Sequence, residues 1–154
     1  MVNISDRLSE NTAYLRGLFK NAMDFILREF QIDGISAVLI AMEGLITNKQ
    51  QVTLGVLNPI MRTAILQPGG KEKMAYIQHN VLGAVDQLEL YTMDDIILRL
   101  MNGFSVLLVD ECDYALAFGT QGFEKRSVDE PDTEIMQRGS REGFVETYII
   151  NISM

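Results

Sequence analysis

The dipeptide Asp33-Gly34, set between two runs of strand-forming residues, is the strongest local constraint in the chain. Gly and Asp tolerate the positive φ angles that a two-residue hairpin turn needs. The runs 25–32 and 35–42 are therefore predicted to pair as antiparallel strands. In the first run Ile26, Phe30 and Ile32 share one face at period 2. The second, Ile35 to Met42, is apolar on both faces, which is the pattern of a central strand covered on both sides.

The remaining elements follow from periodicity and punctuation. Ser9 or Asn11 is expected to cap a first helix, with Leu15, Leu18, Phe19 and Ala22 as its apolar stripe. A second helix is predicted from Asn48 with Val52, Val56 and Leu57 on its buried face. Asn58-Pro59 restarts it, and Ile60, Met61, Ala64 and Ile65 continue the face. The run 67–73, Gln-Pro-Gly-Gly-Lys-Glu-Lys, reads as a loop. Helix and strand both remain open for 74–82, and 85–90 reads as a short strand. Thr92-Met93-Asp94-Asp95 opens the best-marked helix, with Ile96, Ile97, Leu100 and Met101 buried and Gly103 as its stop. The runs 104–109 and 114–118 form a second hairpin across the turn 110–113. The expected class is α/β: a mixed sheet of about four or five strands with helices packed on it, in the order α-β-β-α-α-β-β plus a C-terminal connector.

Composition excludes several functions. With 13 Lys and Arg against 21 Asp and Glu, the net charge of −8 disfavours phosphate-backbone binding, so no nucleic-acid partner is expected. The 154 residues suffice for one hydrophobic core without staples. The longest strongly apolar run is too short to span a bilayer, and the first residues lack the layout of a secretion signal. A single cysteine, Cys112, rules out an internal disulfide and fits a reducing compartment.

Candidate chemistry is sparse. His79 is the sole histidine, which removes multi-histidine metal sites and leaves a triad hard to assemble. Cys112 lies between acidic neighbours, which raise a thiol pKa, where a nucleophile needs positive ones. Asp94/Asp95 and Asp129/Glu130 are the available carboxylate pairs for acid–base hydrolysis, but helix-cap and loop placement accounts for both. Gly69-Gly70-Lys71 lacks the spaced glycine and the following Ser or Thr of a P-loop. No cofactor, metal or catalytic residue is expected.

The tail 126–154 obeys neither period. Arg126, Arg138 and Arg141 interleave with Asp129, Glu130, Glu134, Glu142 and Glu146. Arginine's planar fork matches carboxylates, so the segment suits either a salt-bridged clasp or docking on an acidic partner. A solvated charged loop followed by an ordinary core helix explains the same residues equally well. Glu130-Pro131 favours an extended turn, Arg138-Gly139-Ser140 a turn into a helix, and Phe144 and Tyr148 are i, i+4 neighbours on it. The closing apolar run 148–154 has no stop signal, so the sequence is expected to be cut from a longer chain.

This tail resembles the A subunit of GerA-type spore germinant receptors of endospore-forming bacteria. The family pattern of Arg-Ser-Val/Ile, Glu-Pro, Glu, Arg-Gly-Pro-Arg-Glu-Gly-Phe-Val-Glu and Asn-Ile-Ser-Leu falls here on 126–128, 130–131, Glu134, 138–146 and 151–154. Ser140 stands where the family has Pro, and Met154 where it has Leu. Looser matches upstream are Asp24 to Arg28, the strand before Glu43-Gly44-Leu45, and the strand from Asn102-Gly103 to Asp110.

The resemblance implies the soluble N-terminal region of a polytopic protein of the spore inner membrane, on the cytoplasmic or core side. Residues 1–119 would be its first α/β subdomain, and 120–154 the connector into a truncated second one. It implies a non-enzymatic role: assembly with the B and C subunits and the rest of the A subunit, a homo-oligomer being open, and signal coupling during nutrient-induced germination. The interaction residues it points to are Arg126, Glu130, Pro131, Glu134, Arg138, Gly139, Arg141, Glu142, Phe144 and Glu146. The alternative is an α/β domain that itself senses a small nutrient.

Overall fold

A computed structural model describes residues 2–46, 52–83 and 85–119. Helix α1 spans Leu8–Leu18, and strands β1 and β2 span Phe25–Ile32 and Ile35–Met42. A single 3₁₀ turn, Glu43–Leu45, follows. A π-helical turn, Thr53–Leu57, leads into α2, Asn58–Arg62. Helix α3, Gly70–Tyr76, runs on into a second π-helical turn, Ile77–Val81. Strand β3 (Gln87–Leu90), helix α4 (Met93–Met101) and strands β4 (Phe104–Val109) and β5 (Ala115–Gly119) complete the described chain.

The five strands lie in the order β1-β2-β4-β5-β3, and every ladder is antiparallel rather than mixed in direction. The α/β class and the helices on the sheet are as expected. The full order is α-β-β-α-α-β-α-β-β, in which the short strand expected over 85–90 and the helix expected from Thr92 both form as β3 and α4. Alternation along the strands sends side chains to two cores. Along β4, Val106 and Leu108 join Leu15, Phe19, Ile96 and Leu100 under α1 and α4. Leu107 and Val109 join Ile60, Met74, Ile77 and Phe118 under α2 and α3. Strand β2 feeds both layers, which explains its unbroken apolar run.

Local signals place the clearest elements. Asp33 and Gly34 both have positive φ, at 48° and 89°, and Ile32 stands opposite Ile35. The Thr92 hydroxyl accepts the Asp95 amide at 3.1 Å, and Gly103 takes φ 86° after α4. The segment 104–118 folds as the expected hairpin, with Leu107 opposite Leu116.

Other expectations give way. Neither Ser9 nor Asn11 caps α1, which starts at Leu8. Asn11 is buried instead and grips Ser5 from both sides: its Oδ1 accepts the Ser5 amide and its Nδ2 donates to the Ser5 carbonyl, each at 2.8 Å. Helix α2 ends at Arg62, because Thr63 turns extended at ψ 137°, leaving Met61 and Ala64 exposed. The loop predicted over 67–73 is shorter, since Gly70 already opens α3; the open segment 74–82 is helical as far as Val81. The predicted start at Asn48 lies outside the described residues.

Candidate functional site

The predicted interaction residues Arg126, Glu130, Pro131, Glu134, Arg138, Gly139, Arg141, Glu142, Phe144 and Glu146 all lie outside the described residues, as do Asp129 and the connector 120–154. The described chain reaches Gly119, opposite Phe104 at one end of the sheet. The densest polar construction lies at the other end, where β4 turns into β5.

That turn ties down several segments with consecutive residues. The Asp110 amide donates to the Ser36 carbonyl at 2.9 Å, fixing the turn to β2. The Asp110 carboxylate accepts the Leu8 amide at 2.9 Å, so the start of α1 is capped by a residue 102 positions away. The Glu111 amide donates to the Asp6 carbonyl at 2.8 Å, and its carboxylate accepts the Gly70 amide at 3.1 Å at the start of α3. Lys71 adds an exposed ion pair to Asp113 at 3.3 Å. Glu111 adopts φ 66°, a left-handed conformation disfavoured for a residue with a side chain, so these contacts hold a strained turn.

Beside this turn a groove of about 480 Å³ opens between α1 and the first hairpin. Leu8, Phe30, Ala37 and Val38 supply apolar wall, while Ser9, Thr12, Gln31, Ser36, Glu29 and Asp110 supply polar groups. Its size and mixed lining suit a small molecule. Glu29 also meets Arg16 at 3.4 Å, an exposed pair.

The reactive side chains are committed elsewhere. Cys112 is fully buried, and its thiol donates to the Tyr114 carbonyl at 3.4 Å. Burial, with Asp113 adding to it, pushes the thiol up to about 11, so it stays protonated at neutral pH. Of the acidic neighbours named from sequence Asp113 contributes, but burial dominates. Burial likewise pushes Tyr114 up to about 12, and its hydroxyl donates to Gln78 at 3.2 Å. Glu89 accepts hydrogen bonds from Tyr91 and from Gln78, which hold its carboxyl below the usual range. His79 is exposed on the second π-helical turn. Asp94 and Asp95 sit in the first turn of α4, as helix-cap placement requires.

Sequence reading missed Lys73. Its side chain is only 3% exposed; Nζ donates to the Ile65 carbonyl at 2.8 Å and stands 3.7 Å from the Asp33 carboxylate. A lysine in a predicted loop gives no signal of burial; the Asp33 turn is distant in sequence, and only the fold brings the Ile65 carbonyl onto Nζ. Among the described residues no group of three or more His, Cys, Asp or Glu is arranged to hold a metal ion. No helix among them is long and apolar enough to cross a membrane.

Comparison with known proteins adds a family. A family model described as Bacillus/Clostridium GerA spore germination protein matches residues 13–154. Spore germination protein KA of Bacillus subtilis is 31% identical over 156 residues, covering 99% of this chain and 28% of its own length. The uncharacterized membrane protein YfkQ of the same organism is 28% identical over 98% of this chain and 29% of its own length. The chain thus spans less than a third of the length of these relatives. Among solved structures, the N-terminal domain of the A subunit of the Bacillus megaterium spore germinant receptor GerK3 shares the fold. Its TM-score is 0.65 at 24% identity, over 78% of this chain and 48% of that one.

Proposed function

Because the chain belongs to the GerA family of Bacillus/Clostridium spore germination proteins, we propose that it serves as the first soluble subdomain of a germinant-receptor A subunit. Its role is receptor assembly and signal coupling during nutrient-induced germination, without catalysis. The observation that carries this reading is the commitment of the polar groups at the 110–113 turn. Asp110 and Glu111 each accept a helix-terminal amide, and Asp113 pairs with Lys71. The Asp110 and Glu111 carboxylates hold helices on both faces of the sheet, as a domain that transmits contacts requires.

On this reading residues 1–119 are the first α/β subdomain and 120–154 a connector into a second one. The partners are the B and C subunits and the rest of the A subunit, with self-association of the A subunit a further contact. The full-length protein resides in the spore inner membrane, with this domain on the cytoplasmic or core side. Arg126, Glu130, Pro131, Glu134, Arg138, Gly139, Arg141, Glu142, Phe144 and Glu146 make the subdomain or subunit contacts. Arg138→Glu or Arg141→Glu in the full-length protein is expected to reduce the other receptor subunits recovered with it from spore membranes by about tenfold, the scale of losing one charge-assisted contact. Undiminished recovery with both variants would remove the assembly role.

The groove between α1 and the first hairpin favours a second reading, direct sensing of a small nutrient. A ligand that binds only the folded state raises its stability, by about 2.7 kcal/mol at a hundredfold excess over Kd. Sensing therefore predicts an upward shift in melting temperature with one of a panel of amino acids and sugars at millimolar concentration. A flat response across the panel rejects it.

A further inference from the structure

We infer that the Asp110–Glu111 turn is a two-sided latch, through which opening of the helix end on one face of the sheet opens the helix end on the other. Helix α1 packs on one core through Leu8 and Leu15, and α3 packs on the other through Met74. The two helix starts have no shared sequence and face opposite layers. They meet at one peptide unit: Asp110 holds the Leu8 amide, Glu111 holds the Gly70 amide, and an ideal Cβ at Gly70 would lie 1.7 Å from the Asp110 carbonyl oxygen. A shift of the turn backbone would move both carboxylates together, and that backbone is anchored by the Asp110 amide on Ser36, the Glu111 amide on Asp6 and the close approach of the Asp110 carbonyl to Gly70.

The backbone makes this arrangement two-state. At φ 66° Glu111 sits in the narrow left-handed well, and the broad extended region is its relaxed alternative. The bonds to Asp6, Ser36, Leu8 and Gly70 together hold that conformation against its strain. Losing one clamp therefore favours the flip that loses the others. This deepens the coupling role proposed above by naming the element that couples, yet it concerns only the domain's internal mechanics.

Native-state hydrogen exchange on the 154-residue chain tests it, read at the amides of Leu8 and Gly70 with Leu39 and Leu107 of the central strands as references. Asp110→Ala removes the acceptor of Leu8 and is expected to speed exchange at Gly70 about tenfold, although Glu111 is intact. Glu111→Ala, which keeps the strain and loses the carboxylate, is expected to speed exchange at Leu8 by the same factor, since coupling is reciprocal. Glu111→Gly relieves the strain, so it should expose Gly70 while leaving Leu8 near its wild-type rate. That variant also guards against a fold too weakened to read.

Acceleration confined in each variant to the amide whose acceptor was removed would overturn the latch. So would an equal rise at Leu39 and Leu107, which reports global unfolding. Either result leaves the assembly reading untouched, because that reading is scored by subunit recovery from spores.

Discussion

Gly70→Ala is expected to destabilise the domain by about 3 kcal/mol, the upper end of what forced overpacking costs. The reason is space, not backbone freedom. The added Cβ would meet the Asp110 carbonyl oxygen at 1.7 Å, the carbonyl carbon at 2.8 Å and the Glu111 Cβ at 2.9 Å. Those are atoms of a turn already bonded to Ser36, Asp6 and Leu8, so the turn cannot recede without breaking those bonds. Helix α3 must move instead, which strains the Gly70–Glu111 hydrogen bond and lifts Met74 and Ile77, both fully buried. Gly69→Ala is the matched control. There the new atom meets only the Glu72 carboxylate end, at 2.2 Å, and that side chain is exposed and free to swing away. Its cost should stay under about 1 kcal/mol, the scale of a helix-cap change. Urea unfolding with an unchanged slope measures both. Equal costs at the two glycines would contradict the tight approach at Gly70.

Phe118→Ala is expected to cost about 4 kcal/mol. Phe118 is fully buried among the largest core side chains and lies on β5 between β4 and β3, opposite Ser105 and Gln87. Ladders on both sides fix its backbone, so the cavity left by the ring closes poorly. Leu88→Ala, on the adjacent edge strand, is the comparison: Leu88 is 40% exposed and its removal should cost no more than about 1 kcal/mol. Urea midpoints of the two variants give the difference directly. A loss under about 1 kcal/mol at Phe118 would mean the layer under α2 and α3 is not packed as described.

What the sequence reveals of this fold is what is encoded locally. Asp33-Gly34, the Thr92 cap with Gly103, and the 104–118 hairpin each carry their own turn or cap chemistry, and each forms where expected. Elements completed by distant partners were less legible. The Leu8 amide finds its acceptor at Asp110, so α1 needs no capping side chain of its own, and Ser9 and Asn11 were expected to do work that a tertiary contact does. Gly70 reads as loop because glycine is a poor helix former, yet close approach to the Asp110 peptide requires it there. Lys73 reads as solvated charge until Ile65 and Asp33 are brought around it. The acidic turn 110–113 was legible as a turn beside Cys112; its grip on Asp6, Leu8, Ser36 and Gly70 depends on pairings that no local pattern shows.

The proposed assembly role is tested most directly at the arginines of 126–154. The nutrient response of spores whose full-length protein carries Arg138→Glu or Arg141→Glu is the most direct measurement, scored beside the amount of that protein in the spore membrane. A contact role predicts germination slowed by about tenfold or more in at least one variant, the penalty of setting like charges against each other at an interface. Normal protein levels together with a full nutrient response in both variants would contradict it.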